Sequence, residues 1–170
     1  MHLCSMSTMA RTRPLSAMPA HARVWVYKSA AALTAEQQAM ILARGAQFTA
    51  DWAAHGAALD ACVDVLYDHF VVLSVDEQQA MASGCSIDKS VRFVQELERM
   101  LGTSLTDRMV VLYQNERSIR MCRVPEVEGL IKQGELSADT VVFDDLVGTK
   151  GDMDRRFRAP LKESWMARWL

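Results

Sequence analysis

This 170-residue sequence has few cysteines, few glycines and no long apolar run. No stretch approaches the ~18 consecutive apolar residues that a membrane-spanning helix requires. The four cysteines include no C-x-x-C pair and the four histidines no H-x-x-x-H spacing, so neither a disulfide framework nor a local metal site is indicated. We expect reduced thiols in a cytoplasmic protein that holds no metal and no cofactor.

A surplus of positive charge is also missing. The 19 lysines and arginines face 21 aspartates and glutamates, which gives a formal net charge of −2. The densest basic run is the R-R-F-R stretch at residues 155–158. Proteins that bind the phosphate backbone of nucleic acids normally carry a basic stripe or patch. We therefore expect no nucleic-acid partner.

Strand-like and helix-like segments alternate through the first two thirds of the chain. Short apolar, β-favouring runs predict strands, and apolar residues spaced three and four apart predict helices. The predicted strands are 24–27, 61–66, 69–75 and 108–113, and the predicted helices are 34–54 and 87–101. The order is that of the split βαβ unit, so we expect an α+β, ferredoxin-like core at residues 23–113. Another α+β layer order is the alternative.

The helix boundaries have specific sequence signals. Thr34 and Gln37 have the spacing of a capping box. Gly56 and Gly102 follow the two apolar stripes, where a left-handed residue commonly ends a helix. The second stripe comprises Ile87, Val91, Val94, Leu97 and Leu101, so that helix is expected to bury these side chains.

The two ends of the chain lie outside this core. Residues 1–22 contain no regular pattern and are expected to form a disordered leader. Residues 114–170 are expected to be a C-terminal extension that packs on the core, with strands at 118–123 and 140–143 and a helix at 125–133. The last amphipathic piece carries Trp165 and Trp169, whose rings are expected to dock it.

Cys85 is the strongest candidate for chemistry. It follows Ser83 and Gly84 and lies just before the second predicted helix, which Ser86 or Asp88 is expected to cap. The positive end of a helix dipole lowers a thiol pKa, and successive N–H groups there can bind an anion. A small residue at a tightly packed strand-to-helix corner explains the same pattern without any chemistry.

A base and an acid for this thiol are also available. His55 is a candidate base, with Asp88, Asp76 or Glu77 orienting it. The candidate catalytic set is thus Cys85, His55 and Asp88, and the candidate anion-binding set adds Ser83, Gly84 and Ser86 to the two other acids. A lone Cys and a distant His become a catalytic pair through geometry that a sequence does not supply.

Three segments resemble a known family. They are F-T-A-D-W-A-A-H-G at 48–56, V-D-E at 75–77 with A-S-G-C-S-I-D-K-S at 82–90, and D-T-V-V-F-D-D-L-V at 139–147. Together they are similar to a family of short bacterial proteins, common in the Bacteroidetes, that often carries the label "ABC transporter ATPase". The resemblance covers residues 23–170 and implies a bacterial origin.

The residues do not support the ATPase label. An ABC ATPase needs G-x-x-x-x-G-K-[ST], because backbone N–H groups cradle the phosphates and a lysine reaches them. No glycine of this chain is followed by Lys-Ser or Lys-Thr, and the L-S-G-G-Q signature is missing. We therefore expect a non-catalytic binding or interaction module with a protein or small-molecule partner. A thiol-dependent enzyme is the alternative, and an open sheet face leaves room for a homodimer.

Overall fold

The computed structural model describes residues 13–170 and has the α+β architecture that the sequence predicts. The helices are α1 (Ala35–Asp51), α2 (Gly84–Leu101), α3 (Val127–Lys132) and α4 (Lys150–Arg156). The strands are β1 (Arg23–Lys28), β2 (Ala53–Ala54), β3 (Ala57–Ala58), β4 (Asp60–Leu66), β5 (Phe70–Asp76), β6 (Val110–Asn115), β7 (Ser118–Arg123), β8 (Val141–Phe143) and β9 (Arg158–Pro160). Short 3-10 helices occupy Leu15–Ala17, Val124–Glu126, Leu161–Glu163 and Trp165–Trp169.

The long strands form two antiparallel sheets. The first sheet has the order β1-β5-β4, and the second has the order β7-β6-β8-β9. Every residue of β5 from Phe70 to Val75 is buried, as its nearly continuous apolar sequence predicts for a central strand. A separate two-stranded hairpin, β2-β3, follows α1.

The two sheets pack face to face, with helices on both outer sides. Phe70 and Val72 of β5 share a core with Leu112 of β6 and Phe143 of β8, between the sheets. The opposite face of β5 packs against α1 and α2, and the outer face of the second sheet packs against α3 and the C-terminal 3-10 helices. Because strand side chains alternate, each sheet supplies two cores, and the result is a four-layer helix–sheet–sheet–helix arrangement.

The ends of α1 follow partly from its sequence. Thr34 Oγ1 accepts from the N–H of Gln37 at 3.2 Å and the Gln37 side chain accepts from the N–H of Thr34 at 2.9 Å, which confirms the capping box. The helix ends at Asp51 rather than near residue 54. Gly45 faces Val63 of β4 so closely that a Cβ at this position would lie 2.6 Å from the Cβ of Val63. Glycine therefore sets the distance between α1 and the first sheet.

The first three core strands and the two helices follow the predicted ferredoxin-like order, but the fourth strand does not join them. The strand expected at 108–113 is β6, in the middle of the second sheet. Its side chains are apolar on both faces, with Val110 and Leu112 in one core and Val111 and Tyr113 in another. A ferredoxin-like sheet covers one of its faces with helices, whereas β6 needs cover on both. The four-stranded single sheet was therefore a wrong expectation.

The expected segment boundaries also change. Residues 1–12 of the predicted leader lie outside the described residues. Leu15, Met18 and Ala22, however, are buried between the sheets, so residues 13–22 belong to the folded core. At the other end, the expected boundary after residue 113 falls inside β6, and the C-terminal residues complete the second sheet.

Candidate functional site

Cys85 lies in the first turn of α2, because this helix begins three residues before the predicted start at residue 87. The helix begins at Gly84, and Ser83 is its N-cap, with its Oγ accepting from the N–H of Ser86 at 3.2 Å. Neither Ser86 nor Asp88 caps it, as had been expected. This shift places the Cys85 side chain on the exposed side of the turn. Asp88 is also exposed.

The polar groups around this turn are engaged in holding the helix start. Ser86 is buried, and its hydroxyl donates to the carbonyl of Ser83 at 2.8 Å. Gly84 does not mark a close approach, because a Cβ there would meet no atom within 4 Å. The expected anion-binding loop is thus a serine-capped helix start in the described structure.

His55 lies at the tip of the β2-β3 hairpin and not at the end of α1. His55 and Gly56 both have positive φ, 51° and 79°, as a tight hairpin turn requires. The expectation that Gly56 ends the helix was wrong, because the chain leaves α1 at Trp52 and pairs with itself. His55 is exposed.

The hairpin and the start of α2 are joined through Trp52. This side chain is 1% exposed, and its Nε1 donates to the carbonyl of Ser86 at 2.9 Å. The elements that carry Cys85 and His55 are therefore neighbours. Within residues 13–170, no hydrogen bond joins Cys85 to His55, and neither lines the larger cavities.

The two remaining candidate acids hold the N-terminal segment and the loop before α2. Asp76 accepts from His21 Nε2 at 2.9 Å and lies 3.7 Å from Arg13. The hydrogen bond from His21 is the main cause that lowers the Asp76 pKa. Glu77 accepts from the N–H of Ala82 at 3.0 Å. These bonds explain both acids as parts of the loop structure, and they leave no role that requires a ligand.

The other cysteines of the described structure are buried. Burial raises the pKa of Cys62 to about 12 and that of Cys122 to about 11. The His, Cys, Asp and Glu side chains of residues 13–170 include no group of three placed to hold a metal ion. No helix in this part of the chain is long and apolar enough to cross a membrane.

A groove between α1 and α2 is a surface feature that the sequence reasoning missed. Its volume is about 660 Å³. Phe48 of α1 and Phe93 of α2 stack in it, with ring centroids 4.3 Å apart and nearly parallel rings, and Trp52 closes one end. The groove therefore combines an apolar, aromatic lining with the charged outer faces of two helices.

Positive charge dominates the sides of this groove. Arg44 of α1 pairs with Glu96 of α2 at 2.5 Å and links the two helices. Lys89, Arg92 and Arg99 also line the groove, and they form no ion pair with any carboxylate in residues 13–170. These three cations outnumber the remaining carboxylate of the groove, Asp51, so the groove is suited to bind an acidic partner.

A sequence signal for this surface exists in α2. Lys89, Arg92, Glu96 and Arg99 are spaced three, four and three apart, which places them along one face of a helix. Val91 instead is 43% exposed, whereas Phe93, Ser86 and Ser90 are buried. Of the predicted apolar stripe, Val94 and Leu97 are buried as expected, Ile87 and Leu101 are half-buried, and Val91 is exposed.

These features define a class, an α+β protein of four layers with a basic groove between α1 and α2. Comparison with protein families, with curated proteins and with solved structures found no match. The resemblance to the bacterial family therefore stays a prediction.

Proposed function

We propose that this chain is a non-catalytic binding protein, and that its α1–α2 groove docks an acidic, amphipathic segment of a partner protein. The observation that carries the proposal is the row of Lys89, Arg92 and Arg99, cations without acidic partners beside a stacked aromatic pair. An amphipathic helix can place apolar side chains between two helices and its carboxylates against their outer faces. The apolar contacts contribute affinity, and the charges contribute orientation and association rate.

The alternative function is a thiol-dependent enzyme that uses Cys85 and His55. Its support is the exposure of Cys85 in the first turn of α2, on an element that touches the His55 hairpin. The binding function is favoured because the thiol lies outside the larger cavities and the neighbouring serines are used in the cap. A covalent site needs a pocket that holds substrate beside the nucleophile.

The proposal is tested with a labelled acidic peptide and one charge reversal. The probe is a fluorescein-labelled, 20-residue amphipathic helix with leucines on one face and glutamates beside them, and binding is measured by fluorescence anisotropy. Arg92→Glu removes the attraction between Arg92 and the peptide glutamates and adds a repulsion between carboxylates. Each contribution is about 0.5–1 kcal/mol at an exposed site. We expect its Kd to rise about tenfold. Arg120→Glu on β7 is the matched control and leaves the Kd unchanged.

Three outcomes overturn the proposal. The first is an equal effect of Arg92→Glu and Arg120→Glu, which would show a general response to net charge. The second is equal binding of inorganic polyphosphate, which has no apolar face. The third is dimer formation by the chain alone, lost in Arg92→Glu by analytical ultracentrifugation, because the occupant of the groove would then be a second copy.

A further inference from the structure

A second cavity lies between two hairpin turns, on a different part of the molecule from the α1–α2 groove. Its volume is about 480 Å³. The turn at 67–69 between β4 and β5 lines one part of it, and Gln114, Arg117, Ser118 and Ile119 line another. Ala32, Phe143 of β8 and Arg158 of β9 complete the lining. The cavity thus joins the first sheet to the second.

Two arginines of this cavity lack acidic partners. Arg158 donates through its Nε to the Oε1 of Gln114 at 3.1 Å, so its hydrogen-bonded neighbour is a neutral amide. Arg117 forms no ion pair within the described part of the chain. The lining carries these two guanidinium groups and one carboxylate, that of Asp68, which accepts from Gln38 Nε2 at 3.0 Å. The two guanidinium groups repel each other, and a bound oxyanion between them would convert that repulsion into charge-assisted hydrogen bonds.

A buried histidine also lines this cavity. His69 is 7% exposed, and its Nδ1 lies 2.9 Å from the carbonyl oxygen of Ser29. Because a carbonyl oxygen accepts but never donates, Nδ1 carries a hydrogen. With the hydrogen on Nδ1, Nε2 of the neutral imidazole is an acceptor, and it has no hydrogen-bond partner in residues 13–170.

The cavity also has an aromatic side. The Tyr67 ring packs on Phe143, with centroids 5.1 Å apart, and on Phe157 at 6.2 Å, yet Tyr67 is 48% exposed. Its φ is 51°, and that of Asp68 is 58°. A bulky residue in the left-handed region costs about 1–2 kcal/mol, and such residues concentrate at functional sites. The turn therefore holds an aromatic ring at the cavity edge at a cost in backbone energy.

We propose that this cavity binds a small organic anion. Its carboxylate or phosphate group binds to Arg117 and Arg158, and its apolar part lies against Tyr67 and Phe143. This site is independent of the docking groove, because the two share no residue. The expected ligands share one feature, which is an oxyanion group attached to an apolar group.

Titrations of the full-length protein with simple probes test the proposal. Backbone amides are followed by ¹⁵N NMR during addition of benzoate, of phenyl phosphate and of benzamidine, which has a similar ring and the opposite charge. We expect saturable shifts at residues 67–69 and 116–118 with the two anions and none with benzamidine. The stronger of the two anions identifies the ligand as a carboxylate or a phosphate.

Substitution of one cavity arginine supplies the decisive comparison. Arg158→Gln removes a charged donor, and we expect it to weaken binding of the better anion about tenfold or more. Arg120→Gln, on β7 and outside the cavity lining, is expected to leave binding unchanged. If Arg158→Gln does not fold, Arg117→Gln on the exposed turn replaces it.

The proposal is overturned by any of three results. If neither anion causes saturable chemical-shift changes, the cavity is not an anion-binding site. Equal shifts with benzamidine show that the ring alone is bound. Equal weakening by the cavity variant and by Arg120→Gln shows a diffuse response to surface charge.

Discussion

The contact between Gly45 of α1 and Val63 of β4 leads to a quantitative prediction. In Gly45→Ala, the new Cβ would lie 2.6 Å from the Cβ and 2.9 Å from the Cγ1 of Val63. Non-bonded carbon atoms pack best at about 3.5–4.0 Å, so the contact is about 1 Å too short. Both Cβ atoms are fixed to backbone, and no change of rotamer separates them. The helix must move away from the sheet.

The size of the effect follows from two opposing contributions. Overpacking a well-packed core costs about 1–3 kcal/mol, and a Cβ–Cβ contact belongs at the upper end of that range. Replacing glycine with alanine inside a helix favours folding by about 1 kcal/mol. The net expectation is a loss of about 2 kcal/mol in the free energy of unfolding. For a protein of this size, the loss corresponds to a fall in Tm of about 4–8 °C.

Urea unfolding followed by tryptophan fluorescence measures this loss, and α3 offers a matched control. A Cβ at Gly129 would meet no atom within 4 Å. Gly129→Ala therefore gains helix propensity without a clash, and we expect it to stabilise the protein by about 0.5–1 kcal/mol. If Gly45→Ala were as stable as the wild type or stabilised like the control, the close approach of α1 to the sheet would be refuted.

Three further predictions concern single side chains. The Ser74 hydroxyl is buried without a partner, so Ser74→Ala is expected to raise the free energy of unfolding by about 1 kcal/mol in the same urea assay, and a loss of stability would contradict this. Burial raises the pKa of Glu98, but hydrogen bonds from residues 104–106 outweigh it, and the net pKa lies below its ordinary 4.5. A lowered carboxyl pKa stabilises the fold above pH 4.5, and this contribution is lost as the pH falls through the folded pKa. Glu98→Gln should therefore lose less stability than the wild type between pH 6 and acid pH. Equal losses would disprove the stabilising role of the Glu98 carboxylate. Finally, His55→Ala should leave the rate of iodoacetamide alkylation at Cys85, measured by peptide mass spectrometry, unchanged, whereas a slower rate would favour the thiol enzyme.

Local signals in the sequence predicted most of the individual elements. The Thr34–Gln37 capping box and the strands at 61–66 and 118–123 are all present in the structure. Each of them depends on residues close together in the chain, where side-chain bonds, backbone conformation and alternation decide the outcome. The α+β class follows from the same signals.

Elements whose residues meet at long range were predicted less well. The apolar run of β6 indicates a strand but does not name the sheet that it joins, because it pairs with both β7 and β8. Helix α4 and strand β9 were not predicted at all, since each is short and is completed by contacts with distant elements. The β2-β3 hairpin was missed because its two strands consist of alanines, which have the highest helix propensity and are depleted in strands.

The candidate sites also differ in whether neighbouring or distant residues form them. The exposed thiol near a helix start could be recognised in the sequence, because it depends on adjacent residues. The α1–α2 groove combines residues about 45 positions apart. The hairpin cavity combines two turns with residues of strands β8 and β9, which lie as far along the chain as Arg158. Neither grouping has a local signature, although the basic face of α2 has one.

The sequence alone determined where hydrogen bonds and side-chain alternation within a few residues favour a helix, a turn or a strand. The tertiary structure decided which strands share a sheet, which helix face is buried, and which cations are left without a partner. The physical reason is that burial and ion pairing depend on which surfaces meet, and strands with two apolar faces can satisfy that requirement in more than one sheet.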